Sequence, residues 1–197
     1  MISVYQIKPA FQKLLQPVLR ALRRIGVTAN QLTVAAIILS VFLGYLFLHY
    51  KEHPIVLLLV PAGLLLRMAL NALDGMMARQ YNMQSKLGEI LNEMGDVISD
   101  LAIIIPLVVI PEIFPFLIVT FGFLAVLNEF AGLLGRAIGG DRRYEGPMGK
   151  SDRALVIGLF CLTNFFWNGI EQYANWIFGI ACLMLVLSTF TRLKKAL

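Results

Sequence analysis

The chain has 197 residues, of which 58% are hydrophobic and only 15% are charged, and its mean hydropathy is +0.76. A soluble domain is about 45–50% apolar, so the composition excludes an ordinary soluble protein and predicts an integral membrane protein. The net charge of +5 favours contact with anionic lipid head groups or phosphate-bearing substrates. Nucleic acid is a poor candidate partner, because no large soluble domain is expected to bind it.

The first 26 residues form the first predicted unit, a segment on the cytoplasmic face. Residues 4–24, VYQIKPAFQKLLQPVLRALRR, mix basic and apolar residues at helical spacing. This pattern is typical of an amphipathic helix lying on a membrane surface, with a disordered basic tail as the alternative. Pro9 and Pro17 are expected to break or kink the helix. Either Thr28 or Asn30 can cap the helix that follows.

Residues 27–197 form the second predicted unit, a membrane domain. Its apolar runs approach the ~20 residues that a helix needs to cross a bilayer, and backbone groups in lipid must be satisfied within the helix. The predicted fold is therefore all-α and polytopic, with six transmembrane helices preceded by an amphipathic juxtamembrane helix. The six predicted spans are 31–50, 54–78, 85–110, 114–137, 152–169 and 173–191.

The distribution of Lys and Arg predicts the orientation. Of the 17 basic residues, all but Lys51 and Arg67 fall in the two termini or in the loops after spans two and four. Because basic residues concentrate on the cytoplasmic side, both termini are expected there. The compact chain has no eukaryotic targeting signal, which favours a bacterial inner membrane.

The most polar stretch, from Asn71 to Asp100, lies in spans two and three. On a helical wheel of residues 87–101 the apolar side chains fall on one side and the polar ones on the other. The polar side contains Gly88, Asn92, Gly95, Asp96, Ser99 and Asp100, with Glu89 and Glu93 at its edge. An ionisable group in lipid costs at least ~2.5–3.5 kcal/mol, so this side is expected to face the protein interior or a ligand.

The end of span two carries a second polar face, and the two helices can bring oxygen ligands together. Asn71, Asp74, Gly75 and Ala78 share this face near the cytoplasmic end. Clusters of oxygen ligands suit Mg²⁺, Mn²⁺ or Ca²⁺, and small residues allow a ligand to approach the backbone. With Arg79 beside them, the pattern predicts a site for a cation and a phosphate ester. The alternative is a polar helix–helix interface that only holds the bundle together.

These residues resemble the signature of the CDP-alcohol phosphatidyltransferases, D-x-x-D-G-x-x-A-R-x8-G-x3-D-x3-D. The chain reads N-x-x-D-G-x-x-A-R-x8-G-x3-N-x3-D with every spacing preserved. The matching positions are Asp74, Gly75, Ala78, Arg79, Gly88 and Asp96. The segment VTANQLT at Val27–Thr33 is also similar to the T-P-N-x-L-T of the family.

The resemblance implies transfer of a phosphatidyl group from a CDP-linked lipid, usually CDP-diacylglycerol, to a small alcohol, with release of CMP. It implies that Asp74 ligates metal and that Asp96 is the general base or shares a metal. Asn71 and Asn92 occupy the other two metal positions, and Mg²⁺ or Mn²⁺ is the expected ion. Gly75, Ala78, Arg79 and Gly88 would form the nucleotide and phosphate site. Homodimerisation is implied as well.

The chain departs from the signature at its first and third acids, which are Asn71 and Asn92. Two formal negative charges remain at four positions, so one ion or two weakly held ions are expected. Glu89, Glu93 or Asp100 can supply the missing charge, or Asp96 and Asp100 can act as the last two acids shifted by one helical turn. The other alternative is a relative that binds CDP-lipid or nucleotide without catalysis.

Two further basic features, Arg67 and one cytoplasmic loop, lead to predictions about buried pairing and phosphate binding. Arg67 needs a buried partner, for which Glu129 is the first candidate and Asp74 or Asp100 the next. The loop DRRYEGPMGKSDR is expected to bind the phosphate of a phosphorylated acceptor through Arg142, Arg143, Lys150 and Arg153. Ordinary cytoplasmic charge bias is the alternative for this loop. A transporter using midplane carboxylates is a further alternative for the protein, but the acids cluster toward the cytoplasmic end.

Overall fold

The computed structural model describes residues 8–197. Every secondary-structure element in that range is a helix. Two short 3₁₀ segments, Ile105–Val109 and Asn168–Tyr173, interrupt the series of α-helices. The α-helices are α1 Lys8–Arg24, α2 Ala29–Tyr50, α3 Pro54–Gln80, α4 Lys86–Ile104, α5 Pro115–Ala137, α6 Lys150–Phe166 and α7 Ala174–Ala196.

Local sequence signals explain where the helices begin. Thr28 is the N-cap of α2, and its side chain accepts a hydrogen bond from the backbone of Gln31 while the Gln31 side chain accepts one from Thr28. This capping box satisfies two backbone donors that the helix cannot pair, and it identifies Thr28 rather than Asn30 as the cap. Ser85 caps α4 in the same way through the backbone of Gly88, at 3.0 Å.

The amphipathic helix is present and packs against the bundle. Helix α1 buries Leu15 and Leu19 in an apolar cluster that includes Met77 of α3, and it exposes its basic side chains, such as Arg20. The α-helix continues through Pro17, so the expected break there is wrong. Residues 4–7 of the predicted segment lie outside the described residues.

Four of the predicted spans are long and apolar enough to cross a membrane. They correspond to α2, α3, α5 and the continuous segment Asn168–Ala196. Helix α4 has five charged residues among 19, and α6 has only 17 residues. The predicted span 85–110 leaves the α-helical conformation after Ile104, where a 3₁₀ segment begins at Ile105 with Pro106 as its second residue.

The packing of the helices brings both motif helices, α3 and α4, against α2. Helix α2 packs on both α3 and α4, α3 packs on α6, and α5 packs on α7 and more lightly on α4. Helices α2 and α4 approach closely at Gly44, where an added Cβ would collide with the backbone carbonyl of Ala102. The absence of a side chain at Gly44 therefore sets the position of α4, which carries most of the acidic residues.

Candidate active site

Helix α4 turns its polar side inward, as the helical wheel predicts. Asp96 and Asp100 are 4% and 5% exposed, whereas Leu87, Ile90 and Met94 on the opposite side are 56–60% exposed. The apolar side chains thus face the lipid and the carboxylates face the neighbouring helices. The predicted division of this helix is confirmed.

Asp74 and Asp96 form the centre of the candidate site. Both carboxylates are buried, Asp74 on α3 and Asp96 on α4, and Gly95, the neighbour of Asp96, lies against Thr33 of α2, where an added Cβ would be 3.8 Å from Cγ2. The hydroxyl of Thr33 on α2 donates a hydrogen bond of 2.8 Å to Oδ2 of Asp74. Three helices therefore meet at the two carboxylates. The hydrogen bond of Thr33 links α2 to α3, and α4 packs on the same helix α2.

A lysine at the start of α6 completes this centre. The ammonium of Lys150 lies 2.6 Å from Oδ2 of Asp96. From the sequence, Lys150 is expected to bind an acceptor phosphate, and no local pattern indicates this ion pair, because 54 residues separate the two partners.

The four signature positions carry carboxylate and amide oxygens. Asn71 and Asn92 are half-buried and lie one helical turn before Asp74 and Asp96 respectively. Carboxylate and amide oxygens are ligands that Mg²⁺ and similar ions accept. Within residues 8–197, however, no group of three or more Asp, Glu, His or Cys side chains converges as a metal cluster.

The predicted nucleotide residues occupy a tightly packed turn. The guanidinium of Arg79 folds over Gly75, where an added Cβ would lie 3.2 Å from Nη1. At Gly88 an added Cβ would lie 2.6 Å from Oδ1 of Asn30. A side chain at either glycine would crowd the polar group beside it, Arg79 at Gly75 and Asn30 at Gly88. Ala78, which lies between the two glycines in the sequence, is half-buried. The sequence analysis considered Asn30 only as a helix cap and missed its position beside Gly88.

A buried ion-pair network lies next to this centre. Asp100 accepts hydrogen bonds from Arg67 at 2.6 Å and from Arg153 at 2.5 Å, and Arg153 also binds Glu129 at 2.7 Å. The first-named partner for Arg67, Glu129, is wrong, and Asp100 is the partner observed. The physical reason is that Arg153 and Arg142 already neutralise Glu129 from the loop side.

The acids proposed as replacements for the missing carboxylates are each paired with arginine. Glu93 binds Arg142 at 2.7 Å, and Glu89 binds Arg136. Burial alone would lower the pKa of Arg142, but Glu93 and other neighbouring groups raise it above its ordinary value, so this guanidinium stays charged. Asp100 is paired with Arg67 and Arg153, so each of the three candidate replacement acids forms an ion pair with arginine.

The basic loop is held mainly by its own ion pairs. Arg142, Lys150 and Arg153 each contact a carboxylate. Arg143 differs, because it forms no ion pair with a carboxylate of the described residues. Its Nε is buried without a hydrogen-bond partner there, as is the Nε of Arg142. Of the four residues predicted to bind an acceptor phosphate, Arg143 is therefore the one whose charge no described carboxylate neutralises.

Comparisons with known proteins agree with this architecture. The chain is 46% identical to the inner membrane protein YnbA of Escherichia coli over 195 residues, which cover 99% of this chain and 96% of that protein. It is 32% identical to the archaetidylinositol phosphate synthase of Pyrococcus horikoshii over 101 residues, half of each chain.

Solved structures share the fold. A phosphatidylinositol phosphate synthase from Mycobacterium tuberculosis with CDP-DAG bound superposes with a TM-score of 0.75 at 19% identity, covering 93% of this chain and 94% of the other. The same synthase in complex with manganese and citrate gives 0.75 at 18% identity, with 91% and 87% covered. Residues 26–189 match the sequence profile of the CDP-alcohol phosphatidyltransferases. The chain therefore belongs to the CDP-alcohol phosphatidyltransferase family.

Proposed function

We propose that the protein transfers the phosphatidyl group of CDP-diacylglycerol to a small alcohol and releases CMP, as a step of phospholipid synthesis. The observation that carries this proposal is the buried pair Asp74 and Asp96, brought together across α3 and α4. The family assignment supports phosphatidyl transfer, and CDP-DAG is bound by a synthase of the same fold.

The reaction needs a base, and Asp96 is the residue we assign. Its carboxylate accepts the proton of the acceptor hydroxyl as the oxygen attacks the phosphorus that carries the diacylglycerol. The bond from this phosphorus to the bridging oxygen breaks, and CMP leaves with that oxygen. Lys150 contacts Oδ2 of Asp96, so we assign Oδ1 to the acceptor hydroxyl. Thr33 holds Asp74 in place through its hydrogen bond.

The proposed metal ligands are Asp74 and Asp96, with Asn71 and Asn92 as neutral donors. When bound there, one Mg²⁺ or Mn²⁺ ion supplies positive charge that neutralises the diphosphate and stabilises the departing CMP. A synthase of the same fold has been solved with manganese. We assign Gly75, Ala78, Arg79 and Gly88 to the nucleotide and its phosphates.

The acceptor is proposed to be phosphorylated, with its phosphate bound at the loop of Arg142, Arg143, Lys150 and Arg153. Arg143 is the leading residue because, within the described residues, it has no carboxylate partner, whereas Arg142, Lys150 and Arg153 each have one. Arg142 and Arg153 are already neutralised by carboxylates and act mainly by shaping the loop. A phosphoryl group beside Arg143 would complete the charge balance there.

The protein is proposed to be a bacterial inner-membrane protein with six membrane-spanning helices and both termini in the cytoplasm. The name of the Escherichia coli relative supports this membrane, and the basic residues of the loops support the orientation. The proposed partners are membrane lipids, the CDP-linked lipid, the acceptor alcohol and a second copy of the chain.

A second function is favoured by one observation. Asn71 and Asn92 replace acids of the signature, and Lys150 neutralises one of the two acids that remain. A relative that binds CDP-lipid or nucleotide without catalysing transfer would retain such a site. Binding of CDP-diacylglycerol without CMP release would then be the result.

The two functions are separated by an assay of the purified protein in phospholipid micelles. Labelled CDP-diacylglycerol is supplied with Mg²⁺ or Mn²⁺ and a panel of alcohols that includes glycerol 3-phosphate and inositol phosphate. Our proposal predicts CMP release that depends on the alcohol and stops with EDTA. Retained lipid binding without CMP release for every alcohol would favour the second function.

A further inference from the structure

The charges of the candidate site do not match a site for two metal ions. In the family signature four acids can balance two divalent ions, but this chain offers carboxylates only at Asp74 and Asp96. Lys150 adds a positive charge 2.6 Å from Asp96. With two divalent ions the site would carry a large uncompensated positive charge among buried groups, which is costly in a membrane protein.

The backbone on either side of Lys150 is held by hydrogen bonds. It begins α6, and the backbone N–H of Gly149 donates to the carboxylate of Asp152 at 3.1 Å, which fixes this first turn. Just before it, Met148 has a positive φ of 59° yet is only 4% exposed. Its carbonyl accepts a hydrogen bond of 2.9 Å from the buried Arg153.

Three of the arginines nearby are committed to other acids. Arg67 and Arg153 hold Asp100, and Arg142 holds Glu93. Lys150 is the basic residue whose charged group contacts a carboxylate of the signature, that of Asp96. A compact ammonium on a long stem behaves as a point charge, which is the property needed to replace a metal ion electrostatically.

We propose that Lys150 is a built-in cation that replaces one of the two divalent ions of the four-acid site, and that it shares Asp96 with the single ion. The two asparagines and the lysine then form one adaptation. Two carboxylates, one divalent ion and the ammonium of Lys150 sum to a charge of +1, whereas the same carboxylates with two divalent ions would sum to +2. This inference rests on the proposed function for the identity of the site, but it concerns only metal binding.

The test is a titration of the purified full-length protein with Mn²⁺, followed by the electron paramagnetic resonance signal of the free ion. We expect one bound Mn²⁺ per wild-type chain. Lys150→Gln removes a cation that repels the ion, so its Mn²⁺ affinity should rise about tenfold. Lys150→Arg retains the charge and should bind like the wild type. Lys86→Gln, which removes an exposed lysine at the start of α4, is the matched control and should also bind like the wild type.

Two ions bound to the wild type would overturn the proposal without any variant. Equal affinity of wild type and Lys150→Gln would also overturn it, and an accompanying loss of acceptor affinity would assign Lys150 to the acceptor phosphate instead. Gel filtration and thermal unfolding show whether each variant is folded. The titration does not depend on turnover, so absence of CMP release with these metal results intact would contradict the proposed function alone.

Discussion

At the scale of residues, the interior is organised by paired charges rather than by isolated ones. Asp100 and Glu129 are both buried, and two arginines hold Asp100 while three hold Glu129. Breaking a buried pair leaves an uncompensated charge, which costs far more than an exposed pair contributes. The positions of α3, α4, α5 and α6 therefore depend on these few side chains.

Arg153 is the residue on which this network depends most, since it binds both Asp100 and Glu129 and is 1% exposed. We expect Arg153→Met to lower the free energy of unfolding by about 3–5 kcal/mol. The measurement is thermal or denaturant unfolding in a fixed detergent. Arg136→Gln is the control, because its pair with Glu89 is exposed and such pairs contribute about 0–1 kcal/mol. Equal losses in the two variants would contradict this assignment.

At the scale of helices, small residues decide how closely the elements approach. Gly44 lets α2 contact the backbone of α4, and α4 then brings Asp96 to Asp74 beside Thr33 of α2. Gly146 has a positive φ of 96° and lies against Ser188 of α7, which holds the loop that delivers Lys150. Close contacts at Gly44 and Gly146 thus position the helix and the loop that contribute Asp96 and Lys150 to the site.

Gly44→Ala tests the close approach of α2 and α4. The added methyl group would collide with the carbonyl of Ala102, and overpacking of this kind costs about 1–3 kcal/mol. We expect a lower unfolding midpoint and, because α4 moves, a lower rate of CMP release. Gly179→Ala in α7 is the matched control, since its Cβ would meet nothing within 4 Å. Loss of stability in the control alone would refute the argument.

Periodicity and local chemistry predict the elements but not their long-range partners. The inward polar side of α4 follows from the residues of the helix itself, so the sequence is sufficient for it, whereas the sequence leaves the cap of α2 open between Thr28 and Asn30. The partner of Arg67 cannot be chosen this way, because several acids were compatible with its position. The pairing of Lys150 with Asp96 depends on how α6 packs beside α3 and α4, which no local pattern records.

At the scale of the whole molecule, the bundle places the charged groups at its motif helices and leaves apolar faces for lipid. The exposed apolar side chains of α4, such as Leu87 and Ile90, are the expected consequence of a polar interior in a membrane protein. The family and the all-helical architecture follow from the sequence, since the spacing of the signature is preserved. The acceptor alcohol does not, because the loop of Arg143 has a composition that cytoplasmic charge bias also explains.

The most direct test of the account is the rate of CMP release by the Asp96→Asn variant, assayed with the best acceptor of the wild type. The central claim is that buried carboxylates of α3 and α4 promote attack on the lipid-linked diphosphate. Removal of the proposed base should lower the rate at least about a hundredfold, while Asp141→Asn in the exposed loop should retain it. An Asp96→Asn variant as active as the wild type would contradict the claim.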